Sequence, residues 1–312
     1  MKIVCLDADT LGNDANLSEF EKFGEFVNFK STKKDETLER VKNADIVITN
    51  KVVIDDEIMA NSQIKLICIS ATGMNNVDLE AAKKHNIVVK NVAGYSTNSV
   101  VEQTFATLFS LMKSVSYYSE YVNSGEWIKS DIFTHLNNSI TEIFGKEFGV
   151  IGLGEIGSKV AKIAKAFGAN VRYYSTSGKN VNDEFISVSL DSLLRTCDII
   201  SIHAPLNENT LNLIGENEIL KMKDGAILMN FGRGGIIDEK ALAMAIDEKN
   251  LKVGLDVLEY EPMSENSPFL SVKNRQNLII TPHIAWASVE ARAKLIKIIV
   301  KNIKDFIENT NL

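Results

Sequence analysis

The chain has 312 residues, 45% of them hydrophobic and 24% charged, an ordinary globular mix whose length suits two cores rather than one. A net charge of −7 repels nucleic acid and anionic membranes, so neither is expected as a partner, and an anionic ligand would need a local positive site. Cys5, Cys68 and Cys197 are odd in number and far apart with no C-x-x-C, which points to buried thiols in a reducing compartment; no metal site is expected.

The N-terminal MKIVCLDADT reads as a first strand rather than a signal peptide. With no run of about 18 apolar residues anywhere, a cytoplasmic location is expected. Apolar runs predict strands at 2–6, 45–49, 64–69 and 87–91, interleaved with helical patterns such as DETLERVK (35–42) and VDLEAAKKH (77–85). Strands that alternate with helices make parallel sheets covered on both faces. Residues 97–120 carry apolar side chains at helical spacing and predict one helix of roughly 35 Å, long enough to bridge two domains. Segment 121–145 is irregular and holds Trp127, Phe133 and Phe144, the pattern expected of an arm that packs on a second subunit. Further strands are predicted at 147–151, 170–174, 198–202, 226–230, 252–257 and 277–281. A last helix, 287–308, has a stripe of Leu295, Ile296, Ile298, Ile299, Ile303 and Phe306 suited to burial, and packing on the first domain would make that domain discontinuous.

The fifth of these strands runs into Gly152-Leu153-Gly154-Glu155-Ile156-Gly157 and then an amphipathic helix. Gly152 permits a tight turn, Gly154 lets the backbone approach a pyrophosphate, and Gly157 lets helix and strand pack closely. The helix N-terminus adds free N–H groups and the positive end of its dipole. With a strand before, a helix after and a second strand at the right distance, the pattern predicts a dinucleotide site. Its departure is Ser175, where an acid that binds the ribose hydroxyls is expected. NAD is the expected cofactor, and the missing acid leaves NADP admissible: Ser175, Thr176 and Ser177 offer hydroxyls and Lys179 a charge.

Three later strands lead into Arg233, Glu261 and His283 respectively. Ligands of open α/β sheets bind at the carboxyl ends of strands, so these groups can converge although they span 50 residues. A 2-keto acid needs a planar fork for its carboxylate, which Arg supplies. Its keto oxygen needs a proton as hydride arrives at carbon, which a His with a neighbouring acid supplies.

Gly152/Gly154/Gly157, His203-Ala-Pro205-Leu206 with Thr210, NFGRGG (230–235), GLDVLEYEP (254–262) and TPHIAW (281–286) together resemble the D-2-hydroxyacid dehydrogenase family over nearly the full chain. The resemblance implies that Arg233 binds the substrate carboxylate, that His283 is the acid/base and that Glu261, rather than Glu259, orients it. It implies that Asp256 contacts the nicotinamide amide and that Thr97 lies near the ring. It places Glu155, Ile156, His203, Pro205 and Thr210 around the cofactor, with core packing as the other reading of His203. The stretch 70–78 (SATGMNNVD) resembles the loop whose backbone amides hold the substrate carboxylate, here Thr72, Gly73 and Met74. The implied architecture is α/β, two doubly wound parallel-sheet domains with a cleft between them. A flavodoxin-like substrate domain (1–97 and 287–312) is interrupted by a Rossmann dinucleotide-binding domain (98–286). ATGMNNVD together with HIAW is similar to the glycerate dehydrogenase (hydroxypyruvate reductase) branch, in which Trp286 walls the pocket or anchors the last helix. The expected function is NAD(P)-dependent interconversion of a 2-keto and a D-2-hydroxy acid by a homodimer, with hydroxypyruvate or glyoxylate as substrate. A D-lactate or D-3-phosphoglycerate dehydrogenase, or a dinucleotide-sensing regulator, is the alternative. His85 and His135 have no nameable partner and read as surface residues.

Overall fold

The structure, a computed structural model, describes residues 1–310. It forms two compact units: Met1–Ser96 with the chain from Ala287 onward, and Thr97–Trp286.

The first unit is built on β1 (Lys2–Cys5), β2 (Glu25–Asn28), β3 (Ile46–Thr49), β4 (Leu66–Ile69) and β5 (Val88–Lys90), all parallel in the order β2-β1-β3-β4-β5. The central β3 and β4 are buried at every position, as their largely apolar runs suit when helices cover both faces. Helices α1 (Thr37–Val41), α2 (Asp56–Ala60) and α3 (Leu79–Lys84) lie between strands, the latter two N-capped by Asp55 and Asp78. The C-terminal helix (Val289–Thr310) packs on β4 and buries Leu295, Ile296, Ile299, Ile303 and Phe306. Ile298, expected in that stripe, is half-buried. Strand β2 is not among the predicted strands: EFVN mixes polar and apolar residues because it is an edge strand, with Phe26 and Val27 half-buried and Glu25 and Asn28 exposed.

The second unit has β6 (Glu147–Ile151), β7 (Asn170–Tyr174), β8 (Ile186–Ser187), β9 (Ile199–Ile202), β10 (Ile227–Asn230), β11 (Lys252–Leu255) and β12 (Leu278–Ile280). They form a parallel sheet in the order β12-β11-β10-β9-β6-β7-β8. The strand order reverses between β6 and β9, so their carboxyl ends flank the crevice where ligands of such sheets bind. Its helices are α4 (Thr97–Lys113), α5 (Val115–Asn123), α6 (Glu155–Ala166), α7 (Leu190–Thr196), α8 (Glu216–Lys221) and α9 (Glu239–Glu248). One core contains Leu193, Leu228, Leu242 and Phe269, the other Leu108, Phe148, Val160 and Met229. Each such side chain stabilises the unit by roughly 1.5–3 kcal/mol relative to exposure.

The single helix predicted over 97–120 is broken. Ser114 takes a left-handed conformation, φ 50°, between α4 and α5. The break falls where burial stops: α4 buries Phe105, Leu108, Leu111 and Met112, whereas α5 buries nothing. The last carbonyls of α4 are satisfied from outside the helix, Leu111 O by Lys252 Nζ (3.0 Å) and Met112 O by Thr141 N (3.1 Å). Helix α4 belongs to the second unit and packs there against α6, β10, β11 and β12.

Two histidines have partners that the sequence did not reveal. His85 Nε2 lies 2.7 Å from Asp56 Oδ1. His135 stacks on Tyr121 with ring centroids 3.8 Å apart and lies 2.8 Å from Tyr117 Oη. Cys5, Cys68 and Cys197 are buried, and burial pushes the first two thiols up to about 12 and the third to about 11. No helix of the described residues is long and apolar enough to cross a membrane.

Candidate active site

The turn from β6 into α6 is shaped by what its glycines exclude. Gly152 has φ +89°, and a Cβ there would sit 2.9 Å from the Ala204 backbone. A Cβ at Gly157 would stand 2.1 Å from Gly152 O, so strand and helix approach more closely than any side chain allows. Gly154 differs: a Cβ there would meet no protein atom within 4 Å. Gly154 is also the N-cap of α6 and supplies no side-chain cap, so the first N–H groups of the helix face outward beside it. A bare helix N-terminus behind an open glycine suits the pyrophosphate of a dinucleotide. The residues present therefore fit that group. Glu155, in the first turn, accepts a 2.8 Å hydrogen bond from Thr97 Oγ1, and Ile156 packs on the core.

At the end of β7, Ser175 Oγ accepts from Asn180 N (3.3 Å), and Ser177 Oγ from Lys179 N (3.2 Å). Thr176 lies between them, half-buried, and no acid stands in the turn 175–180. Beyond β9, Thr210 is fully buried and closes its own loop, donating to Pro205 O at 2.7 Å and accepting from Asn207 N at 2.8 Å. His203 Nε2 lies 2.8 Å from Ser201 Oγ, while its buried Nδ1 has no protein partner among the described residues. Burial pushes His203 down to about 3, so its ring is neutral. The folded-state value lies below the unfolded value of 6.5, so protons bind the unfolded chain in preference as pH falls through 6.5 towards 3, and stability drops over that window. The melting temperature should therefore fall from about pH 7 to about pH 5 more steeply in the native protein than in His203→Gln. Parallel curves would place the ring in a solvated environment.

Backbone packing brings the β9, β10 and β11 exits together. A Cβ at Gly232 would lie 2.5 Å from Ala204 O, and one at Gly234 only 1.9 Å from Leu258 O. Between these glycines stands Arg233, on a turn bracketed by buried Asn230, whose Oδ1 accepts from Gly232 N (2.9 Å) and whose Nδ2 donates to Arg233 O (2.8 Å). Arg233 Nη1 donates to Gly232 O at 2.8 Å, and among the described residues the guanidinium has no ion pair. Most of its five N–H donors thus remain for a ligand.

His283 follows β12 with φ +53°, a left-handed residue that turns the ring toward the β11 exit. Its Nδ1 lies 2.7 Å from Glu261 Oε2, and both side chains are about a quarter exposed. Glu261 Oε1 accepts from Leu258 N at 3.1 Å, so each carboxylate oxygen has a holder. Asp256, expected at the nicotinamide amide, is engaged in the protein: it accepts from Thr281 Oγ1 (2.6 Å), Ile284 N (3.0 Å) and Ala285 N (2.9 Å), pinning the turn around His283. Burial raises its carboxyl above the usual range, and these hydrogen bonds work against that. Trp286 packs against the α4 side of the sheet.

Arg233, Glu261 and His283 thus meet through residues 258–261. In the other unit, Thr72 lies on the exposed loop after β4, donating to Val92 O (3.0 Å) and accepting from Asn91 Nδ2 (2.7 Å); Gly73 and half-buried Met74 follow. Asn230, part of the NFGRGG motif, and Glu239 hold backbone here, roles that carry no local signature. Glu239 Oε1 accepts from Glu259 N at 2.6 Å.

Residues 105–285 match the family model described as D-isomer specific 2-hydroxyacid dehydrogenase, NAD binding domain. The chain is 36% identical over 309 residues to a glycerate dehydrogenase of Methylorubrum extorquens, covering 98% of this chain and 96% of that one. It is 35% identical over 318 residues to a hydroxypyruvate reductase of Blautia hydrogenotrophica, covering 99% and 98%. Among solved structures it is similar to a D-lactate dehydrogenase of Aquifex aeolicus complexed with NAD and lactic acid, with a TM-score of 0.84 at 26% identity over 99% of this chain and 96% of that one. A dinucleotide turn and a His–Glu pair on this sheet, with these relatives along the full length, lead to one conclusion: the chain belongs to the D-isomer specific 2-hydroxyacid dehydrogenase family and is an oxidoreductase that uses a nicotinamide cofactor.

Proposed function

We propose that the protein interconverts hydroxypyruvate and D-glycerate, with glyoxylate as a second substrate. The observation that carries the chemistry is His283 held through Nδ1 by Glu261 at 2.7 Å, on a turn packed against that of Arg233. The names of the glycerate dehydrogenase and hydroxypyruvate reductase relatives support the substrate.

The dinucleotide would be held by the Gly152–Gly157 turn and the open end of α6. When bound, its nicotinamide supplies the hydride or receives it. Arg233 binds the substrate carboxylate with its planar fork and so orients C2. His283 gives the C2 oxygen a proton from Nε2 in reduction and takes it from the hydroxyl in oxidation. Glu261 keeps the ring aimed by holding Nδ1. Asp256 sets the backbone of the same turn.

NAD(H) is the proposed cofactor, with NADP(H) tolerated, because Ser175 places a hydroxyl where a carboxylate would repel a 2′-phosphate. The test is oxidation of NADH and NADPH in parallel with hydroxypyruvate. We expect turnover with both and a marked rise in NADH preference in Ser175→Asp. No turnover of hydroxypyruvate or glyoxylate with either cofactor would overturn the substrate assignment. An unchanged preference in Ser175→Asp would overturn the role of Ser175.

We also propose that the segment 121–145 packs on a second copy of the chain. Ile128 and Phe133 are each 89% exposed, and Ile132, Leu136 and Phe144 are exposed within the same short stretch. Apolar surface so concentrated marks an interaction site. Sedimentation should show a dimer in the native protein and a shift toward monomer in Phe133→Asp; a monomer at every concentration would remove the proposal.

A further inference from the structure

We infer that Glu239 is a positioning residue for the acid–base pair: its carboxylate fixes the 258–261 turn from which Glu261 reaches His283. The inference rests on the reading of His283 as acid and base given above.

Glu259 and Tyr260 are exposed, and the Leu258 N–H bond to Glu261 is internal to the turn. On one side the Leu258–Glu259 peptide lies against Gly234, where a Cβ would meet Leu258 O at 1.9 Å and Glu259 N at 2.5 Å. On the other, Glu239 Oε1 takes the Glu259 N–H at 2.6 Å. Both clamps come from the segment after β10, the one that carries Arg233. The guanidinium and the partner of His283 are therefore set by the same few residues.

Glu239 is not needed to cap its helix. Asp238 does that, accepting from Lys240 N and Ala241 N at 3.0 Å each. Nor is the place of Glu239 a comfortable one for a carboxylate. Burial holds it above the usual range; the Glu259 N–H opposes this, and the charges of Glu259 and Glu261 add to it. A carboxylate kept where desolvation and like charges disfavour it, with a short bond to one backbone N–H, is placed for that bond.

The test compares Glu239→Ala, Glu239→Gln and Glu261→Ala, using whichever of hydroxypyruvate, glyoxylate and pyruvate the native enzyme reduces fastest. Glutamine keeps an acceptor oxygen at the same reach; alanine does not. Glu239→Ala should lower kcat by about 10- to 100-fold, the scale of a misplaced catalytic group, with the Kd for NADH unchanged. Its solvent deuterium isotope effect on kcat should rise as proton transfer becomes limiting. Glu239→Gln should recover most of kcat and the native isotope effect. If Glu239→Ala does not fold, Glu239→Asp, a methylene too short to reach Glu259 N, takes its place. Native kcat in the alanine variant, or equal losses in alanine and glutamine variants, would overturn the assignment of Glu239. Native kcat in Glu261→Ala would instead overturn the acid–base reading itself, so the two failures are distinguishable.

Discussion

His283→Ala should lower kcat by at least about 10²-fold while the Kd for the reduced cofactor stays at its native value. The first half follows from geometry. Nδ1 is committed to Glu261 at 2.7 Å, so the only ring nitrogen left to face a substrate oxygen is Nε2. The left-handed φ of +53° and the three hydrogen bonds of Asp256 to residues 281–285 fix the backbone that carries the ring. Alanine removes the proton donor without disturbing either anchor. The second half follows from separation of function: the Gly152–Gly157 turn and the end of α6 do not involve His283. Steady-state kinetics and a fluorescence titration of NADH check the two halves. Near-native turnover would remove His283 from the chemistry. Lost cofactor binding would instead show that the 281–285 turn collapses without the ring.

Arg233→Ala should lower kcat/KM for the keto acid by about 10²–10³-fold, the usual cost of removing a donor aimed at developing charge. The guanidinium stands on a turn that nothing larger than glycine can flank, since Cβ atoms at 232 and 234 would overlap backbone at 2.5 and 1.9 Å. Its guanidinium donates to the carbonyl of the preceding residue, and among the described residues no carboxylate neutralises it. An unpaired, half-buried cation on a molecule of net charge −7 is the local positive site an anionic substrate needs. Arg233→Lys keeps the charge and loses the planar fork, so it should recover part of the loss and no more. The measurement is kcat/KM for the keto acid across the three proteins, with the Kd for NADH as control. An unchanged value in the alanine variant would take Arg233 out of the site.

The parallel sheets and the dinucleotide turn were legible in the sequence because their signals are local. A strand buried on both faces is largely apolar with no period-2 alternation, so IVIT, LICI and IISI declare themselves. The Gly-x-Gly-x-x-Gly spacing registers as a strand–turn–helix because each glycine answers a steric demand within a few residues. The sequence also singles out Arg233, Glu261 and His283, each a few residues beyond a strand end, as the candidates proposed above. What only the tertiary structure decided depends on groups distant in the chain. Edge strand β2 and two-residue β8 are held by neighbours rather than by their own apolar pattern. The helix over 97–120 breaks at Ser114 because burial ends there and because Lys252 and Thr141 supply its last carbonyls with donors. The hydrogen bonds of Asp256 to the His283 turn reach across 25 to 29 residues and carry no local signature. Glu239 is an unremarked first-turn acid until the fold sets it against Glu259, 20 residues on. Periodicity and spacing report what a residue demands of its immediate surroundings. Which distant backbone N–H a carboxylate meets is decided only when the strand exits are packed side by side.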